Sequence, residues 1–154
     1  GGMLFDVAPS WAMWVYSQQD DVSEFYAELT AQPRDCPAGS TSAYGLMFHF
    51  RDNDNFRAFA LTCRGGYRLY EYSGSGERLL ASGELGGGID SVSGRHTIAV
   101  LAQGTTLTLY VDGAVIDSVN VVDMPPGDLG PFVDTENAGV QVLFESLVVY
   151  EATP

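Results

Sequence analysis

The chain of 154 residues carries twenty acidic against seven basic side chains, a formal charge of −13. Its length suits one domain over residues 1–154, able to bury roughly 68–70% of the surface its unfolded form exposes, and its charge repels nucleic-acid phosphate and anionic lipid alike. Seven prolines and eighteen glycines divide it into short segments, which predicts strands and turns in place of long helices.

Residues 1–10 supply Met3, Leu4, Phe5 and Val7 before Pro9 interrupts, and read as a first strand or an N-terminal arm. No basic segment leads an apolar run there, so the chain is expected to be a mature or excised piece. Residues 11–18 alternate, with Trp14 and Tyr16 opposite Met13 and Val15, and predict a strand in which Trp11 and Trp14 join the core. Gln19, Asp20 and Asp21 follow as a polar turn. Over residues 24–32 the signals conflict. Asp21 followed by Glu24 is a capping-box pattern and Pro33 would stop a helix, yet Phe25, Ala27, Leu29 and Ala31 alternate with Tyr26, Glu28, Thr30 and Gln32. A strand is expected, because tertiary context overrides propensity. Residues 33–42, rich in Pro, Gly, Ser and Thr, read as a loop.

The stretch YGLMFHFRDNDNFRAF, residues 44–59, reads as a β-hairpin about the tetrad Asp52, Asn53, Asp54 and Asn55. A period of two places Tyr44, Leu46, Phe48 and Phe50 on one face and Gly45, Met47, His49 and Arg51 on the other. YRLYEY at 67–72 is a further strand with Arg68, Tyr70 and Tyr72 on one face. Residues 77–85 form another, 86–94 a glycine-rich loop, and 96–102, apolar on both sides, a central strand. TLTLYVD at 106–112 runs into Asp112-Gly113, a pair suited to a type I′ turn, in which both central residues need positive φ. Residues 115–121 pair back, MPPG at 124–127 is a stiff loop, and strands at 129–133 and 140–150 close the chain. Ten to twelve short strands at this spacing predict an all-β, two-sheet antiparallel sandwich of the jelly-roll type.

Cys36 and Cys63, the only cysteines, flank the central hairpin. A disulfide between them is expected, worth about 3–4 kcal/mol in the chain-entropy model; two buried thiols are the alternative. Asp52, Asp54 and Asn55 concentrate oxygen donors such as calcium takes, although counting from Asp52 places Arg57 and Cys63 where an EF-hand needs Gly and Glu. An ordinary turn satisfied by its own Asp and Asn side chains is the competing reading. No apolar run approaches the roughly 20 residues of a membrane helix, so insertion is not expected.

The order of YGLMFHFRDNDNFRAF, YRLYEY, GRHTIAVLAQGTTLTLYVDGAVIDSV and VQVLFESLVVY resembles the concanavalin A-like lectin/glucanase superfamily over residues 25–150. Within it the pattern is similar to laminin G-like and 3-keto-disaccharide-hydrolase-like domains of bacterial surface proteins. Tyr44, Gly45, Leu46, Phe48 and Asp52 match the pattern of the first strand, with His49 where Arg is usual; Asn55, Phe56 and Phe59 match the next, with Arg57 where Tyr is usual. The resemblance implies a concanavalin A-like sandwich. Family 16 glycosidases share that fold and cleave with carboxylates in an ExDxE pattern on one strand face. The pattern is absent here: Glu84 and Asp90 straddle a glycine loop, Glu145 stands alone, and neither His49 nor His96 has a nucleophile motif nearby. A catalyst is therefore not expected.

The expected function is a non-catalytic carbohydrate-binding or adhesion module, extracellular or at a cell surface, with a glycan or surface polysaccharide as partner. Aromatic rings for the apolar faces of sugars and planar polar groups for their hydroxyls point to His49, Arg51, Arg68, Tyr70 and Tyr72. Two alternatives belong to other classes. One is a structural subunit that self-associates when the arm Met3 to Val7 adds to a neighbour's sheet edge; the other is a divergent hydrolase.

Overall fold

The computed structural model describes residues 2–16, 22–86 and 88–151. Among them are twelve strands and no helix: β1 (Met3–Val7), β2 (Ala12–Trp14), β3 (Phe25–Asp35), β4 (Ala43–Asp52), β5 (Asn55–Thr62), β6 (Gly66–Ser73), β7 (Gly76–Glu84), β8 (His96–Gln103), β9 (Thr106–Val111), β10 (Ala114–Asn120), β11 (Asp128–Asp134) and β12 (Val140–Glu151). They form two six-stranded antiparallel sheets, ordered β1-β12-β3-β8-β9-β10 and β2-β11-β4-β5-β6-β7. Phe25, Leu29, Ile98, Val100 and Leu109 of the first sheet meet Tyr44, Leu46, Phe48, Phe59 and Leu69 of the second, making the sandwich core.

The contested segment is a strand. Phe25, Ala27, Leu29 and Ala31 point into the core between β12 and β8, so burial on that face outweighs the capping-box signal. β3 also runs through Pro33, where a loop is expected from the sequence. Proline is admissible there because β8 ends opposite Ala31 and the pairing with β12 carries an extra residue at Arg34. Cys36, just beyond β3, is bonded to Cys63 after β5. Asp112 and Gly113 both have positive φ, as the type I′ turn requires.

Met3–Val7 forms a first strand, paired with β12 of its own chain at the edge of the first sheet. Two further expectations change. Residues 11–18 give only the short strand β2, and residues 17–21, including the polar turn and the end of that segment, lie outside the described residues. Trp11 is 66% exposed, and Trp14 packs half-buried outside the sandwich core. Phe50 is the second. His49 has a φ of 51° and the β4–β5 register slips between Phe48 and Asp52. The bulge breaks the alternation, so Phe50 leaves the face of Tyr44, Leu46 and Phe48 and joins Met47, Phe56, Ala58, Tyr70 and Phe132 in a second apolar cluster on the outer face of the second sheet.

Candidate functional site

That outer face is aromatic because the alternate residues of five strands face away from the core. Trp14 stacks on Phe132 (6.1 Å between ring centroids) and lies 5.5 Å from Phe56; Phe56 stacks on Tyr72 at 4.5 Å; Tyr72 continues to Tyr70 at 6.1 Å. Beside this band the register sets out a row of small residues. Phe132 opposes Gly45, Gly45 opposes Ala60, and Ala60 opposes Arg68. With only Gly45 and Ala60 beneath it, the Arg68 side chain lies across the sheet. Its Nη1 donates to Tyr70 Oη at 2.9 Å and to Glu136 Oε1, beyond the end of β11, at 3.2 Å. Glu136 Oε2 accepts from Thr41 Oγ1 at 2.6 Å, so both of its oxygens are held.

Asp134 lies on the same face, between Ala12 of β2 and Ala43 of β4. Burial, the nearby charges of Glu136 and Glu77, and only partial compensation from Arg68 push its carboxyl up to about 6. No donor among the described residues hydrogen-bonds this carboxylate. Half-buried carboxylates without donors are costly and concentrate where a ligand supplies the missing hydrogen bonds. Tyr72 opposes Glu77 across β6 and β7, and burial and the neighbouring carboxylates of Asp134 and Glu77 raise its phenol pKa.

The second polar assembly closes the end of the sandwich beneath the hairpin tip. Arg57, 2% exposed, donates Nε and Nη2 to Glu71 Oε1 (3.1 and 2.8 Å), Nη2 to Asp123 Oδ1 (3.0 Å), and Nη1 to the Asp123 carbonyl (3.0 Å) and His49 Nδ1 (3.1 Å). Every N–H of the guanidinium has an acceptor, which is the condition for burying an arginine. His49 Nε2 donates to the Ser23 carbonyl at 2.9 Å, leaving Nδ1 to accept from Arg57. Burial, against the pull of Ser23 and reinforced by Arg57, lowers His49 to about 4, so the imidazole is neutral. Gly127 packs on the His49 backbone so closely that a Cβ there would collide with the His49 carbonyl carbon.

The residues singled out from the sequence thus divide. Arg68, Tyr70 and Tyr72 share the outer face of the second sheet, with Tyr70 only 3% exposed and presenting its hydroxyl to Arg68. His49 is 1% exposed and belongs to the Arg57 assembly, whereas Arg51 reaches solvent at the hairpin tip. In the Asp52–Asn55 turn, Asp52 Oδ1 accepts from the Asp54 N–H and Asn55 Nδ2, both at 2.8 Å, and these bonds hold its carboxyl below the usual range. Among the described residues no three His, Cys, Asp or Glu side chains converge as a metal site. Sequence reasoning missed Asp134, Glu136, Trp14 and Phe132. The signals present were the alternation Phe132, Asp134, Glu136 and the small residues Gly45, Ala58 and Ala60 in strands otherwise bulky.

No family model and no curated protein matches this sequence. Solved structures match its fold. The carbohydrate-binding module CBM66 from Bacillus subtilis is 15% identical with a TM-score of 0.77, covering 98% of this chain and 92% of that one. A β-glucanase of Bacillus licheniformis is 14% identical with a TM-score of 0.68, covering 99% and 79%. Sheep galectin-11, in complex with glycerol, is 11% identical with a TM-score of 0.60, covering 92% and 98%. The chain therefore has a concanavalin A-like β-sandwich fold, shared by binding modules and glycoside hydrolases.

Proposed function

We propose that the protein is a non-catalytic, extracellular carbohydrate-binding module of the laminin G-like kind, taking a neutral glycan on the outer face of its second sheet. The observation that carries this is the Asp134 carboxylate, half-buried with no donor among the described residues, beside an aromatic band and the laid-down Arg68. A sugar hydroxyl donates to Asp134, the Arg68 guanidinium donates to a neighbouring hydroxyl, and Trp14 and Tyr72 meet the apolar faces of the rings. Three carboxylates, Asp134, Glu136 and Glu77, around one arginine disfavour uronic or sulfated sugars. The fold neighbours and the disulfide agree with this reading and with an oxidising location. Hydrolysis fits less well, because both oxygens of Glu136, the carboxylate nearest to Asp134 in sequence on this face, are committed to Arg68 and Thr41. Calcium at Asp52, Asp54 and Asn55 stays a separate proposal, read by a chelator arm.

The test is a glycan array of neutral and acidic polysaccharides probed with the wild type and Arg68→Ala, each with and without chelator. Binding to neutral glycans, lost in the variant, is the expected result. Absence of binding, or release of reducing ends from a bound glycan, would overturn the non-catalytic reading.

A further inference from the structure

A pocket of about 190 Å³ opens at the tip of the second sheet, between the β4–β5 hairpin and the loop after β10. It is smaller than the roughly 300–1,000 Å³ of pockets for drug-sized ligands, and suits a single ring. Phe56 and Tyr72 belong both to its wall and to the aromatic band, so pocket and sheet face are continuous. Its back is the Arg57 assembly, whose saturated guanidinium fixes Glu71 and Asp123 in place. Costly features converge there: a buried charge, a non-glycine residue at positive φ in His49, and a backbone approach only Gly127 allows. Arg51, at the rim, makes no ion pair among the described residues, and Asp123 gives only one of its carboxylate oxygens to Arg57. One free guanidinium and one free carboxylate oxygen beside an aromatic ring make a site that is neutral overall and able to both donate and accept.

We propose that this pocket is a far subsite for the same glycan, taking a neutral sugar ring several units along the chain from the ring held at Asp134. The inference rests on the glycan-binding reading above. Along β5 the strand rise separates Ala60, beneath Arg68, from Asn55, at the pocket, by roughly 17 Å, a span of about three or four sugar rings. Short ligands therefore fill one subsite and longer ones both. Arg51 brackets the ring's hydroxyls from the rim, opposite Asp123.

The experiment is calorimetric titration of the wild type and Arg51→Ala with linear laminari-, cello-, xylo-, galacto- and fructo-oligosaccharides from two units to six. Arg51 is exposed, and an unchanged melting temperature shows that the variant is folded. Wild-type affinity for the recognised series should rise about tenfold between two units and four or more. Arg51→Ala should lose that rise and keep the affinity for two units. An equal rise in both proteins, or a wild-type affinity that does not change with length, would overturn the far subsite while leaving the sheet-face reading intact. Failure of the wild type to bind any series would overturn the glycan reading itself, and the subsite with it.

Discussion

Asp134→Asn should stabilise this protein at neutral pH while weakening its hold on glycan. In the fold the carboxyl is pushed up to about 6 from 3.8, by burial first and then by Glu136 and Glu77, against Arg68. Between those values the folded state binds more protons than the unfolded state. The contribution of Asp134 to stability therefore falls as pH rises through that window and is a net cost above it. A fully shielded group moved this far would cost about 3 kcal/mol; partial solvent exposure reduces this to about 1–2 kcal/mol. Asparagine keeps the shape and removes the charge. Urea unfolding of both proteins from about pH 4 to about pH 8 gives the difference between them. The difference is needed because His49, lowered to about 4 mainly by burial, has the opposite slope: its contribution is lost as pH falls from 6.5 toward that value. The variant should gain about 1–2 kcal/mol near pH 7.5 and almost nothing near pH 4. A variant less stable than the wild type near pH 7.5, or a difference independent of pH, would refute the reasoning.

Arg57→Ala should cost about 3–5 kcal/mol, because it leaves Glu71 Oε1, the Asp123 carbonyl and His49 Nδ1 without their donor, while Arg78 holds only the other oxygen of Glu71; a loss under about 1 kcal/mol by urea unfolding would show that the assembly is dispensable. His96 faces only acceptors, with Nδ1 2.9 Å from Asp112 Oδ2 and Nε2 2.6 and 2.8 Å from the carbonyls of Asp90 and Ser93. Burial opposes its charge, but these bonds prevail and raise its pKa, so its stabilisation is complete below 6.5 and lost as pH rises through the folded value. The stability gap between wild type and His96→Gln should accordingly narrow from about pH 6 to about pH 8, and a gap that widens would contradict the assignment. Replacing Cys36 and Cys63 together by Ser should cost about 3.5 kcal/mol, from a sequence separation of 27 residues; unfolding with and without reductant reads it.

The strands were legible because sheet burial imposes a period of two, visible in Phe25 to Ala31 and in Leu107, Leu109 and Val111, whose alternate members are fully buried. The Asp112-Gly113 turn was legible for a local reason, the positive φ at both residues. The bulge at His49 was not. One residue in a left-handed conformation leaves no mark on the hydrophobic pattern before it, yet it moves Phe50 to the other face. Arg57 shows how a buried charge escapes detection, since its partners Glu71 and Asp123 come from distant segments. The candidate site was half legible. Arg68, Tyr70 and Tyr72 share a strand, so their common face follows from alternation. Asp134 and Glu136 reach them only through the register β11-β4-β5-β6, which couples residues more than sixty positions apart and is fixed by long-range pairing.

The most direct measurement of the central claim is amide chemical-shift mapping of the isotope-labelled protein, titrated with whichever neutral glycan the array identifies. The account predicts that the largest changes cluster at Gly45, Ala58, Ala60, Tyr72, Phe132 and Asp134, on the outer face of the second sheet, and that the Arg68→Ala protein shows none. Changes confined to the outer face of the first sheet, or to the loop between β7 and β8, would contradict it.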